Sequence, residues 1–287
     1  MTVNETLWIY GEQHAPHVVD PARIGYAIDA LLPFWGELPL SAITKETCRR
    51  YGRVRERAPG TIRKELGTLQ AAINYCVEEG YLINPPSVTL PDKPAPKDTW
   101  LTRDQAAQML RVAWRNADTR HIAKFILVGL YSGTRKTAIL RMRFMPNTIG
   151  GHVDTENGMM YRNGLNQVET KKRQPSIRIT PRLLSHLRRW ERDSSRWVIE
   201  FRGQGVGSIK TAWKSVVTEA GLAGKGVTPH TLRHTAITWA MQAGVDIYEA
   251  AGYFGVDIET MFKVYAHHHP DHQSNAVAAV GRGGRKL

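Results

Sequence analysis

Cysteine is nearly absent from this 287-residue chain, which has only Cys48 and Cys76. Two thiols build no disulfide framework, and this pair lacks metal-ligand spacing. No apolar run approaches the ~18 residues that cross a bilayer. The opening MTVNETLWIYGEQH has neither the basic n-region nor the apolar h-region of a secretory leader. Repeats and low-complexity tracts are missing too. These absences predict a reduced, cytoplasmic protein with no membrane partner. Negative charge is also scarce, with 26 Asp and Glu against 39 Lys and Arg, a net charge of +13. Such an excess on a soluble chain points to a polyanion, usually nucleic acid. Hydrophobic residues make up 42% of the sequence and the mean hydropathy is −0.37. That composition excludes a disordered or collagen-like chain. The length suits one large or two medium domains.

The charge is unevenly spread. Residues 1–98 hold 11 basic and 12 acidic residues, net −1, and residues 99–287 hold 28 and 14, net +14. Yet eight of the first 11 basic residues fall between Lys45 and Lys64. Arg49, Arg53 and Arg57 recur every fourth residue and would share one helix face. With Lys45, Arg63 and Lys64 they form a candidate phosphate-backbone contact. A merely solvated helix face explains this stripe equally well.

A break falls at 84–98, NPPSVTLPDKPAPKD, where five of fifteen residues are proline. Proline blocks helix and favours an extended linker. The segment before it, 1–83, reads as a small bundle of about four helices. Pro21–Leu32 carries an apolar stripe. Thr44 caps the basic helix, which Pro59-Gly60 ends. Thr61–Glu79 places Ile62, Leu66, Leu69, Ile73 and Val77 on one face. After the break, Thr102 and Gln105 form a capping box. His121–Tyr131 reads as a buried helix. Residues 145–180 alternate turn signals with short runs, which predicts an antiparallel sheet of about three strands. Helices return at Pro181, Ile209, after Thr228-Pro229, at Ile247 and near Asp257.

Three segments carry candidate chemistry. Tyr131-Ser-Gly-Thr-Arg135 puts an arginine where one helix ends and another begins. Thr228-Pro-His230-Thr-Leu-Arg233-His234 puts His230 and Arg233 three apart on a helix. Tyr253-Phe-Gly255-Val256 leads into Met261-Phe-Lys-Val-Tyr265. Each alone has an ordinary structural explanation. Together and in this order they resemble the tyrosine recombinase, or phage integrase, family. Its pattern is an Arg after a Gly turn, a hairpin Lys, a His-x-x-Arg, then a Gly-His before a Tyr. The resemblance spans about residues 5–280 and is strongest over 125–145 and 225–270.

The resemblance implies a mainly α fold with a small antiparallel β-sheet. It implies a helical core-binding, DNA-binding domain (1–83), a Pro-rich linker (84–98), an α+β catalytic domain (99–273) and a tail (274–287). The implied activity is site-specific recombination of a mobile element's DNA through a 3′-phosphotyrosyl intermediate, without a cofactor or metal. The implied partner is double-stranded DNA, held by a homotetramer on synapsed sites. Tyr265 is the implied nucleophile. Arg135 and Arg233 are the implied phosphate clamp, since two guanidinium forks match both non-bridging oxygens. Lys172 or Lys171 would protonate the leaving oxygen, and His230 would assist proton transfer or bind phosphate.

Two positions depart from the family pattern. Ala138 stands where an acidic residue usually orients the first arginine, and Val256 stands where His or Trp is usual. His267 is the candidate to replace that histidine. The neighbouring His267-His-His269 run reads as a polar segment rather than a zinc site. The alternatives are a catalytically weak or silent DNA-binding regulator on the same fold, and a type IB topoisomerase.

Overall fold

The computed structural model describes residues 1–94, 99–167, 173–193 and 196–282. The fold is mainly helical with small antiparallel sheets, and it divides into two units, Met1–Pro96 and Lys97–Leu287.

The first unit holds α1 (Val3–Ile9), α2 (Pro21–Trp35), α3 (Lys45–Arg55) and α4 (Pro59–Glu78). Local sequence explains where they start. Thr2 and Glu5 form a reciprocal capping box on α1, and Thr44 and Thr47 form another on α3. Pro21 and Pro59 occupy first-turn positions, where a missing N–H is tolerated. The inner face of α4 buries Ile62, Leu66, Leu69 and Ile73. Each such side chain contributes about 1.5–3 kcal/mol. Glu65 lies on the same face, and its carboxylate accepts from the Tyr51 hydroxyl at 2.6 Å and from Arg55 at 3.2 Å. Burial and this contact push the Tyr51 hydroxyl well above its ordinary range.

Two expectations are corrected here. The basic helix ends at Arg55, and Glu56 turns left-handed at φ 46°. The left-handed Glu56 stops the helix before Arg57, and Ala58 takes the non-helical conformation, φ −56° and ψ 141°, that a following proline favours. Arg57 therefore leaves the stripe of Arg49 and Arg53, and Pro59-Gly60 opens α4 rather than closing α3. The proline-rich stretch up to residue 94 forms neither helix nor strand, and part of it packs on the first unit. Val88 is buried in the first core, its N–H bonds Gln70 Oε1 at 2.8 Å, and Arg63 donates to the Pro91 carbonyl.

The second unit opens with α5 (Arg103–Arg115), capped by the expected Thr102–Gln105 box. The apolar helix α6 (Arg120–Ser132) forms its centre, burying Ile122, Ala123, Phe125, Ile126 and Val128. It ends at Gly133, left-handed at φ 61°, and α7 (Lys136–Arg141) follows. Strands β1 (His152–Asp154), β2 (Met159–Tyr161) and β3 (Ile177–Arg178) pair antiparallel in that order. Val153 lies opposite Met160, and Met160 opposite Ile177, all three buried. Helix α8 (Pro181–Asp193) buries Leu183, Leu187 and Trp190. The hairpin β4 (Glu200–Phe201) and β5 (Gln204–Gly205), unforeseen from the sequence, turns through Arg202-Gly203, both at positive φ.

Helices α9 (Lys210–Glu219), α10 (Thr231–Gln242), α11 (Ile247–Phe254), α12 (Ile258–Val264) and α13 (Ser274–Arg282) complete the unit. Asp246 caps α11 through two N–H groups, and Asp257 caps α12. Trp239 Nε1 and Thr235 Oγ1 tie α10 to the Leu101 backbone at 3.1 and 2.9 Å. No described helix is long and apolar enough to cross a membrane.

Candidate functional site

Helix ends build the site. The left-handed cap at Gly133 turns the chain sharply, so that Arg135 opens α7 from its N-cap. His230 is the N-cap of α10 rather than a residue within it, and Arg233 follows in the first turn. Gly255, left-handed at φ 61°, ends α11, and Tyr265 ends α12. Arg233 therefore sits at a helix N-terminus, where the backbone dipole adds to the attraction for an anion.

The two arginines converge. Arg135 Nη2 and Arg233 Nη2 both donate to the Gly255 carbonyl, at 3.4 and 3.3 Å. Arg135 Nη1 donates to Arg173 O at 2.6 Å, and Arg233 Nη1 to Gly133 O at 2.8 Å. Backbone carbonyls thus orient Arg135, where the family resemblance implied a carboxylate. Ala138 is buried in α7 at that position. No carboxylate among the described residues pairs with either arginine. Burial first, then Arg135 and Arg162, pulls Arg233 down to about 9, which leaves it charged at neutral pH. The guanidiniums repel one another, and a bound anion relieves that repulsion.

The Tyr265 side chain is only 5% exposed, packed with Met261, Phe254, Ala236 and Ile237, while Val256 fills the edge of that cluster. Its hydroxyl lies 2.6 Å from His234 Nδ1. The His230 ring meets His234 edge-on at 4.8 Å. His230 keeps an exposed edge. Burial of the remainder, then His234, Arg233 and Arg135, pushes it down to about 4, so it is neutral at pH 7.

Arg135, Arg233, His230 and Tyr265 are thus brought together. His267 is exposed in the short turn Ala266–His268 after Tyr265, its ring 4.0 Å from that of His268. Lys171 and Lys172 lie outside the described residues. In the first unit, Lys45, Arg49 and Arg53 line a groove of about 550 Å³ with Thr89, Leu90, Pro91 and Asp92. Arg53 pairs with Glu46 at 2.6 Å, Lys64 is exposed on α4, Arg63 is half-buried, and Arg57 lies beyond α3. Among the described residues no three His, Cys, Asp or Glu side chains are arranged to hold a metal.

Sequence reasoning missed two site residues. His234 had a signal: it is four residues after His230, hence on the same side of a helix. Arg162 had none, being a lone arginine after a strand. It is buried, with its guanidinium on Ser132 O, Thr134 Oγ1 and Tyr253 O.

Known proteins share this architecture. The profile of the phage integrase family matches residues 99–272. A tyrosine recombinase XerC of Chlamydia pneumoniae is 25% identical over 221 residues, covering 74% of this chain and 69% of that protein. A second XerC, of Chlamydia caviae, is 22% identical over 249 residues, covering 80% and 76%. Among solved structures, the Tn1549 transposon integrase in complex with transposon right end DNA superposes with a TM-score of 0.74 at 16% identity, covering 98% of this chain and 100% of that one. A lambda integrase bound to DNA gives 0.71 at 16% identity, covering 95% and 97%.

Proposed function

The chain belongs to the phage integrase family, and from that premise we propose that it is a site-specific DNA recombinase working through a 3′-phosphotyrosyl intermediate. As an enzyme it is a DNA recombinase of the tyrosine class. One observation carries the finer reading. The Tyr265 hydroxyl rests on His234 at 2.6 Å, next to Arg233, which shares a carbonyl with Arg135.

The chemistry follows from these groups. Held by their backbone carbonyls, Arg135 and Arg233 turn their remaining N–H groups on the two non-bridging oxygens of one phosphate. They neutralise the charge that builds on those oxygens in the transition state. His234 takes the Tyr265 proton as the oxygen attacks. The phosphorus–O5′ bond breaks, and the 5′ oxygen takes a proton from Lys171 or Lys172. The phosphotyrosine keeps the ester bond energy, so the 5′ hydroxyl of another strand can reverse the step. Double-stranded DNA is the partner, with Lys45, Arg49 and Arg53 as its contacts on the first unit. A homotetramer on two synapsed sites, working in the cytoplasm, completes the reading. Both solved structures named above are DNA complexes.

A second reading is favoured by Ala138 and Val256, which remove two polar groups from the family pattern: a DNA-binding regulator with weak or absent cleavage. A nicked suicide duplex separates the two. The enzyme traps a covalent adduct that Tyr265→Phe abolishes. Specific binding with no adduct supports the regulator and sinks the recombinase. Supercoil relaxation without site preference marks a type IB topoisomerase.

A further inference from the structure

Arg162 follows β2 and is 3% exposed, too buried to touch DNA. Its Nε donates to Thr134 Oγ1 at 3.0 Å, its Nη1 to Tyr253 O at 2.8 Å and its Nη2 to Ser132 O at 2.5 Å. These partners lie on two separate pieces of chain. Ser132 and Thr134 flank Gly133, whose carbonyl takes Arg233 and whose turn delivers Arg135. Tyr253 comes two residues before Gly255, whose carbonyl takes both arginines.

This arrangement is costly. No carboxylate among the described residues pairs with Arg162. Burial pulls it down to about 10, and the Arg135 charge adds to the effect. An apolar side chain of similar volume would fill the space at lower cost. A glutamine offers two donors, whereas only a guanidinium reaches three acceptors from one rigid plane. The expense is explained if geometry, and not stability, is what the residue supplies.

We propose that Arg162 is a positioning residue of the cleavage reaction, locking the Ser132–Thr134 turn to the Tyr253 carbonyl so that Arg135 and Arg233 close on one phosphate. This rests on the phosphotyrosyl reading above. It also accounts for a clamp that stays aligned with Ala138 in place of a carboxylate.

The test uses the full-length chain and nicked duplexes carrying the site it selects from random-sequence DNA. Arg162→Met should slow single-turnover adduct formation about 100-fold, the scale of one misplaced electrostatic donor. Affinity for the duplex should change less than about 3-fold, since most phosphate contacts are elsewhere. Arg162→Lys keeps the charge without the fork and should stay at least about 10-fold below the wild type. With an uncharged methylphosphonate at the scissile position, the Met deficit should shrink to under about 5-fold, because little charge is left to clamp.

The proposal is overturned if Arg162→Met cleaves at the wild-type rate. It is also overturned if its deficit is equal on both substrates, or if lost cleavage tracks lost binding. Should Arg162→Met fail to fold, Arg162→Lys carries the same comparison of substrates, and an equal deficit on both overturns the proposal. A wild-type chain that binds its site and forms no adduct overturns the recombinase reading itself, and this proposal with it.

Discussion

Replacing Gly255 by alanine should damage cleavage far more than it destabilises the protein. Gly255 is left-handed at φ 61°, and a Cβ there would lie 2.6 Å from Pro175 Cδ and 2.7 Å from Arg173 O. A left-handed alanine costs about 1–2 kcal/mol. Forcing backbone apart adds about 1–3 kcal/mol. Together these come to about 2–5 kcal/mol, or a Tm lower by roughly 5–15 °C for a unit of this size. The functional effect is larger because of what the methyl strikes. Arg173 O and Gly255 O are the two carbonyls that hold Arg135, and Gly255 O also holds Arg233. Displacing both misaligns the whole clamp, and loss of even one such donor costs about 10²–10³ in rate. Single-turnover cleavage should therefore fall at least about 100-fold. Gly244→Ala is the control: φ is 78° and nothing lies within 4 Å of the new Cβ. It carries only the backbone strain of about 1–2 kcal/mol and should cleave normally. Scanning calorimetry and adduct formation measure the two effects. A Gly255→Ala chain that melts with Gly244→Ala and cleaves like the wild type would refute the reasoning.

Three further outcomes are expected. His234→Gln should slow adduct formation about 10²–10³-fold without weakening DNA binding, and the deficit should narrow as pH rises toward the tyrosine range, read from a pH–rate profile. His230 is held at about 4 against an ordinary 6.5, so as pH falls from 6.5 toward 4 the unfolded chain takes a proton that the folded one refuses. Stability should drop across that window and be unaffected above it, and His230→Gln should flatten the fall in Tm. Arg49→Ala should reduce the slope of log affinity against log salt by about 1, while Arg57→Ala, off the helix, should leave a slope change less than half as large.

Much of this was legible because helix starts announce themselves locally. Thr44, Thr102, Asp246 and Asp257 each cap the helix expected after them. The three-stranded sheet showed in its alternation and paired turn residues. The Arg, His-x-x-Arg and Tyr segments were readable because several weak signals in fixed order are jointly specific. What stayed hidden depended on distant partners. The burial of Glu65 needs Tyr51 and Arg55, and that of Arg162 needs carbonyls from two other segments. Neither leaves a periodic mark. Two misses were local. The Thr2–Glu5 box opens α1 with no expectation for it, and Pro59, which reads as the end of one helix, opens the next.

The proposed reaction leaves Tyr265 covalently attached to a DNA 3′ phosphate. Peptide mass spectrometry of the adduct trapped on a nicked suicide duplex tests it most directly. One modified tyrosine is expected, Tyr265, carrying the 3′ nucleotide, with a free 5′ hydroxyl on the released strand. Attachment at another tyrosine, such as Tyr253 or Tyr131, or a cleaved strand with no protein attached, would contradict it.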